Sequence, residues 1–525
     1  TVNGGWSNST AGTSSIVGGG YMNKANGYTS VVAGGRVNTA NNYYTAICGG
    51  YADTVNGHYS GALSGYSNLA GDASADTAVV ICGGWDNSAT ARYSFVGGGK
   101  NNNARGLYSV VSGGGGSTAA DSNSARGDYS VVAGGSGNIA TNSYSTVSGG
   151  GDNTAGGSYS TVNGGWSNST AGTSSIVGGG YMNKANGYTS VVAGGRVNTA
   201  NNYYTAICGG YADTVNGHYS GALSGYSNLA GDASVDTAVV VCGGWNNSAT
   251  EKYDFIGGGS SNITSGNYAV VVGGVGNTAG NNYSTVTGGS SNSATGYGSM
   301  VAGGFDNSAS GTRAAVGGGD SNTASGSYSL VCGGSSNTAS GSYAAVAGGF
   351  NNTADGDYSF AFGRYASTAG HDSVAVFDWG AGLGHFFIGT DATNTAYRLY
   401  VSGSAYCTGS WQSSDQDFKF NVRPLVQPLE IVKNMKPVRF TWKQGYEKYG
   451  ISGGKDDIGF IAQALQKALP ELVAEGADEN HLAINYDHIT AVNTAAIKEL
   501  IEIVENQKAE IEQLRAEVER LKKGK

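Results

Sequence analysis

The chain has 525 residues, a formal net charge of −9 and 91 glycines, far above the ~7% usual in globular proteins. That acidic balance excludes a nucleic-acid binder, which needs basic surface to displace counterions. Residues before 412 carry 12 Lys+Arg and 19 Asp+Glu, residues after it 16 and 18, and all four prolines (Pro424, Pro428, Pro437, Pro470) lie in the last part, so two structural regimes meet near 411.

No run approaches the ~18 apolar residues of a membrane helix, and no signal-peptide pattern is present. The first residues, "TVNGGW", stand in mid-repeat, so an upstream attachment region is expected. From there Gly-Gly pairs recur at Gly4-Gly5, Gly19-Gly20, Gly34-Gly35 and Gly49-Gly50, a period of 15. The consensus is G-G-x-x-N-x-A-x-G-x-Y-S-x-V-x, as in "GGSSNTASGSYAAVA" from Gly333. Residues 161–234 repeat residues 1–74 without a change, and a few repeats carry insertions such as "LAGDASADTA".

Repetition at a fixed period is the mark of a solenoid. The "YSVVAGG" half alternates with period 2 and is read as a short strand. Gly-Gly and Asn-x-Ala-x-Gly are read as turns, because Gly tolerates positive φ and Asn often does. Fifteen residues fall short of the roughly 18 of a three-sided coil, so two strands and two turns are expected, a flattened roll. About 23 turns at ~4.8 Å give a shaft of roughly 110 Å. So thin a core calls for packing against other chains. The Tyr column (Tyr93, Tyr108, Tyr129, Tyr144, Tyr159, Tyr328) and Asn columns such as Asn307, Asn322 and Asn337 are read as stacked, stabilising ladders. A sugar-binding aromatic face is the alternative for the tyrosines.

Cys48, Cys82, Cys208, Cys242 and Cys332 each precede a Gly-Gly pair and are expected as small buried apolar side chains. No CxxC or paired-His spacing points to a metal, and nothing calls for a cofactor. The repeats over about 1–370 resemble the heads of trimeric autotransporter adhesins of the YadA type and phage tail-fibre shafts. That resemblance implies a left-handed parallel β-roll with three chains side by side.

From "GRYASTAGHDSVAVFDWGAGLGHFFIG" the period fades, and "YRLYVSGSAYCTGSW" reads as a neck of short strands. "PLEIVKNMKPVRFTW" is predicted as a helix then a strand, and "DIGFIAQALQKALPELV" as a strand, a turn and an amphipathic helix ended by Pro470. A long helix follows, in which Ile497, Leu500, Val504, Gln507, Ile511, Leu514, Val518 and Leu521 keep a/d spacing, the pattern of a coiled coil. The heptads lean toward a dimer and the shaft toward a trimer, and the shaft is given precedence. The expected organisation is mostly β: a β-roll shaft over 1–370, a neck over 371–411, a small α+β domain over 412–493 and a coiled coil over 494–525.

Ser414, Asp415, Lys419, Asn421 with Val422, "IGFIAQ" at 458–463, "NYDH" at 485–488 and "AIKEL" at 496–500 fall in the order of one family's motifs. Residues 405–505 thus resemble the self-cleaving intramolecular chaperone of endosialidase-type tail spikes. The resemblance implies a domain that trimerises, guides folding of the fibre before it and releases itself through a Ser/Lys dyad. Ser414 then is the nucleophile, Lys419 the base, and Asp415 and Gln463 supporting residues, with His488 more simply structural.

The chemistry has its own logic. A serine hydroxyl needs a base to become a nucleophile, and a lysine serves only when burial leaves it neutral. Asp417 departs from the family's basic residue; a carboxylate two residues from Lys419 favours the ammonium form and opposes that role. Cleavage and retention as a permanent trimeric cap both remain open at this point. The sequence is read as a homotrimeric extracellular fibre on a phage tail, with a host glycan or protein receptor as partner. A bacterial surface adhesin is the nearer alternative. A polysaccharide depolymerase is the remoter one, because the shaft acids Asp86, Asp152, Asp306 and Asp320 form no paired-carboxylate site.

Overall fold

A computed structural model describes residues 1–378 except 74 and 234, together with 420–443, 454, 456–475 and 482–524. The chain divides into two compact units, Thr1–Gly384 and His385–Lys525.

The first unit is the expected parallel β-solenoid. Each turn contributes one short strand to each of two sheets, 24 strands per sheet. One ladder runs from Ser9–Thr10 to Ser367–Thr368, the other from Ile16–Val17 to Val374–Asp378. Both are open: every strand pairs in parallel with those one turn before and after, as Lys24 pairs Ser9 and Thr39. Register follows the 15-residue period, jumps at insertions, as at Leu69↔Ser88 and Asn103↔Ser124, and shortens by one residue over the last turns, as at Thr353↔Ser367 and Phe360↔Val374. The extra residues sit outside the ladder, and the sheets continue across them.

Side-chain alternation fixes the core. The second residue of each strand points in: Val17, Ala25, Val32 and Ala40 are fully buried, and so are their counterparts along the roll. Most turns therefore seal one Val or Ile and one Ala, with Thr at a few inward positions such as Thr170 and Thr264. Small inward residues make the flat roll possible, and they also limit its apolar stabilisation.

The turns supply what two-residue strands cannot. Asn307 Nδ2 donates to Gly303 O and to Gly319 O, both at 2.9 Å, while its Oδ1 accepts from Asn322 N at 3.0 Å. One buried amide so joins its own turn to the next, and the pattern recurs from Asn23 to Asn352. At the opposite edge a buried serine closes the other turn, as when Ser30 Oγ donates to Gly27 O at 2.7 Å. Each edge also holds one left-handed residue, such as Asp306 (φ 55°) before Asn307 and Tyr328 (φ 58°) before Ser329. The second glycine of each pair has no room for a Cβ: one on Gly304 (φ +90°) meets Gly319 O and lies 2.6 Å from Asn307 Nδ2.

Two sequence expectations change. Asn-x-Ala is not a turn: its x-Ala pair is the first strand, and the Asn side chain points inward from the strand's edge. Left-handed backbone falls on the residue before that Asn. The cysteines are not buried: Cys48, Cys208 and Cys332 are exposed and Cys82 and Cys242 half-exposed, because the preceding Ile or Val takes the inward position. The Tyr columns do stack, Tyr93, Tyr108, Tyr129, Tyr144 and Tyr159 having centroids 4.5, 5.0, 4.8 and 4.8 Å apart. Their ring faces cover one another, which leaves mainly edges to solvent.

Asn322→Ala removes donors to Gly318 O and Gly334 O and the acceptor for Asn337 N. With ~1–3 kcal/mol for each buried group left unpaired, a destabilisation of at least about 3 kcal/mol is expected in chemical denaturation. A surface change such as Thr323→Ser is expected to leave the midpoint in place.

Candidate functional site in the C-terminal unit

The second unit is an α+β assembly. Helix α1 is Pro428–Asn434, followed by strands β1 (Pro437–Thr441) and β2 (Asp456–Phe460), helix α2 (Ala462–Ala468), strands β3 (Val473–Glu475) and β4 (Leu482–Ile484), and helix α3 (Tyr486–Lys523). β1 pairs antiparallel with β2 and β3 with β4. Met435, Leu465, Leu472, Ile489 and Val492 form a small core, on which Ile431, Phe460 and Ile484 pack. The helix-then-strand and strand-then-helix readings of the sequence both match. The whole C-terminal 38-residue segment is one helix, whose apolar positions Ile497, Leu500, Val504, Ile511, Leu514, Val518 and Leu521 are exposed.

Of the predicted site residues, Ser414, Asp415 and Lys419 lie outside the described residues, as does Asp417. Gln463 is described: it sits in the first turn of α2, exposed, and lines a groove of about 670 Å³ with Phe440, Trp442, Ile458, Ile484 and Tyr486. A strand pair forms one wall of this groove. Thr441 Oγ1 donates to Asp456 Oδ1 at 2.5 Å and Trp442 Nε1 to Asp457 Oδ2 at 3.3 Å. The groove is chiefly apolar, with Gln463 as an amide donor and acceptor on its wall. Ile458 is 72% exposed there, an unusual state for a β-branched residue in a strand.

Two motif residues have roles that the sequence reading missed. Gly459 lies beneath the groove: a Cβ there would come 3.1 Å from Tyr486 Oη and 3.3 Å from Phe440. A glycine inside a strand pattern is the signal for such close approach. Glu499, in the "AIKEL" segment, accepts a hydrogen bond from Leu429 N at 2.8 Å. That satisfies one of the unpaired amides in the first turn of α1 and fastens α1 to α3. His488 is structural: its backbone N donates to Asn485 O, and its Nδ1 lies 3.1 Å from Glu471 O.

Glu499→Ala is expected to lower the stability of this unit by about 1–3 kcal/mol, the range for a hydrogen bond to a charged group or a buried donor left unpaired. Limited proteolysis should find the α1 segment cut faster in Glu499→Ala, with Glu499→Gln retaining most of the protection.

In the shaft, Asp86, Asp152 and Asp306 occupy the left-handed turn position, which accounts for an Asp there without catalysis. Among the described residues no cluster of His, Cys, Asp and Glu suited to a metal ion is found, and no helix is long and apolar enough to cross a membrane.

Comparison with known proteins completes the picture. Residues 414–474 match the family described as chaperone of endosialidase. A 125-residue segment is 26% identical to the long tail fibre protein Gp37 of Salmonella phage S16. The match covers 23% of this chain and 17% of that protein, so the chain aligns with under a fifth of its relative's length. A long parallel β-solenoid followed by a chaperone-of-endosialidase domain fits a phage tail fibre with a C-terminal chaperone domain.

Proposed function

We propose that this tail fibre is a homotrimer whose C-terminal domain drives chain association and folding, and whose shaft carries the fibre to a receptor on the host surface. One observation carries the oligomer: the two outer faces of the roll differ. Outward residues of the first sheet are mostly Ser, Thr and Lys, such as Ser9, Lys24, Thr39 and Thr54. Those of the second sheet include Ile16, Val31, Val80, Phe95 and Val110 near one end and Met300, Leu330 and Phe360 near the other. Apart from breaks at Gly61, Thr146, Thr161, Gly221 and Thr285, apolar residues recur outward along this sheet, and large exposed apolar patches of this kind mark interaction surfaces. Copies of the same chain, in the same register, supply a matching face. The exposed a/d positions of α3 favour the same conclusion, as a coiled coil between chains.

Folding this shaft is the physical problem the C-terminal domain addresses. A single roll buries only two small apolar residues per turn, so isolated chains expose a long apolar strand surface prone to wrong pairing. A domain that first gathers the chains, through α3 and the apolar groove at Ile458, sets their register before the shaft zips.

Release of that domain is the finer proposal. Lys419, neutral and positioned, removes the proton of Ser414; the hydroxyl attacks a neighbouring backbone carbonyl and displaces the amine as an ester forms. Water then hydrolyses the ester and regenerates the serine. Folding supplies the proximity that such an intramolecular attack needs, so cleavage reports completed assembly. Asp417 works against it by favouring the lysine ammonium.

Intact-mass measurement of freshly made protein beside Ser414→Ala tests this reading. A fragment ending near residue 413 in the unmutated chain alone is the expected result, and its appearance in Asp417→Arg at a higher rate follows from the charge argument. Full-length chains in both proteins would show instead a permanent cap. Native mass measurement gives the stoichiometry: three chains are expected, and a monodisperse monomer would refute the oligomer.

A further inference from the structure

Between Asn8 and Asn352 the amide column has two substitutions. At Asp53, and at Asp213 in the duplicated block, a carboxyl stands where other turns place an asparagine. Both side chains are fully buried. Half of the asparagine's role survives: Asp53 Oδ1 accepts from Asn68 N at 2.8 Å and from Asn68 Nδ2 at 2.9 Å, and Asp213 Oδ1 does the same for Asn228.

The other half is inverted. In the preceding turn, Asn38 Nδ2 donates to Gly34 O and Gly50 O, each at 3.0 Å. At Asp53 the Oδ2 takes that seat: a Cβ on Gly50 would meet both Asp53 Oδ2 and Gly65 O, just as one on Gly35 would meet Asn38 Nδ2 and Gly50 O, and a Cβ on Gly210 would meet Asp213 Oδ2 and Gly225 O. Both Oδ2 atoms are buried with no hydrogen-bond partner. An ionised carboxylate in that seat would set an anion against carbonyl oxygens that receive an N–H in the other turns. Such a buried charge without a donor is among the most costly arrangements in a protein interior.

We propose that Asp53 and Asp213 are neutral carboxylic acids in the assembled shaft, each Oδ2–H donating to a turn carbonyl as the asparagine amide does elsewhere. A proton fits a seat shaped for an amide hydrogen. The groups packed on Asp53 are Asn38, Asn68, Gly50 and Gly65, and on Asp213 Asn198, Asn228, Gly210 and Gly225; none is charged. Burial, the leading cause, accordingly raises both carboxyls above the ordinary value, and the bonds from Asn68 and Asn228 offset only part of it.

The two turns are therefore acid-tightened clasps in a shaft otherwise indifferent to pH at this column. A carboxyl raised in the folded state contributes stability that is fully present below its unfolded pKa, ~3.9. That contribution is lost as pH rises through the folded value. Above that point the two turns are the places where the ladder opens first, and the duplication puts one in each copy of the block.

The test compares the full chain with the double variant Asp53→Asn/Asp213→Asn in unfolding experiments from pH 4 to pH 9. The variant is expected to match the parent most closely in acid and to exceed it increasingly as pH rises. Two sites change the ratio of unfolding constants by up to about a hundredfold per pH unit. Asp254, which burial pushes up to about 6, titrates in both proteins and cancels. In infrared difference spectra the parent is expected to show a carboxylic-acid carbonyl band at neutral pH that the variant lacks. Parallel pH profiles with no such band would overturn the proposal. So would a chelator that lowers the parent's midpoint and not the variant's, since a bound cation would then fill the proton's place.

Discussion

A two-residue strand cannot hold a chain in place, and the side-chain amide at the edge of each turn makes up the difference. Ladder bonds at Thr323–Ala324 and its neighbours give only a few contacts per turn. Asn322, itself fully buried, adds bonds to Gly318 O, to Gly334 O and to Asn337 N, the last of them inside the roll. Because these bonds run both within a turn and to the next, each turn is completed by its neighbour. This is the nearest-neighbour logic of solenoids at its smallest scale, and it makes other features obligatory. The second Gly of each pair must be Gly, since a Cβ there would strike the amide and the next turn's carbonyl. The inward positions are held by small and β-branched residues, chiefly Val, Ile and Ala.

The same economy underlies the proposal that the shaft associates with copies of itself. Its interior is satisfied but slight, and its second sheet presents Ile, Val, Phe, Met and Leu outward along the roll. In the proposed trimer, association would supply burial that a single roll lacks, and a C-terminal gathering domain would answer the folding hazard of that exposed face. The groove beside Gln463, the exposed Ile458 and the uncovered stripe of α3 are apolar surfaces of the kind such gathering requires. Similarity of residues 414–474 to the chaperone of endosialidase family fits this division of labour.

Much of the shaft was legible in the sequence because period and alternation are written into every repeat. The count of strands, the flat roll and the ladders of Asn and Tyr all follow from the 15-residue spacing. The misread details share one cause. Asn-x-Ala looks like a turn because Asn, Ala and Gly are common there, yet register places the Asn at a strand edge, where burial governs. Cys48 looks like a core residue by type, yet Ile47 beside it already occupies the inward position. In the C-terminal unit the elements were readable from helical and strand patterning. The partnership of Glu499 with Leu429 N was not, because 70 residues separate them and only the packing of α1 on α3 brings them together. The glycine of "IGFIAQ" carried its signal openly, as a glycine within a strand.

The claim that turn amides, more than strands, hold the shaft is tested most directly by hydrogen exchange along the native fibre. Asn322 N and Asn337 N bond to side-chain oxygens of the preceding turn, whereas Leu330 N and Thr323 N bond to backbone carbonyls. If the amide column is a structural spine, the first pair exchanges as slowly as the second. Exchange of the column amides orders of magnitude faster than that of the strand amides would mean that the strands hold the turns, and the account would be wrong.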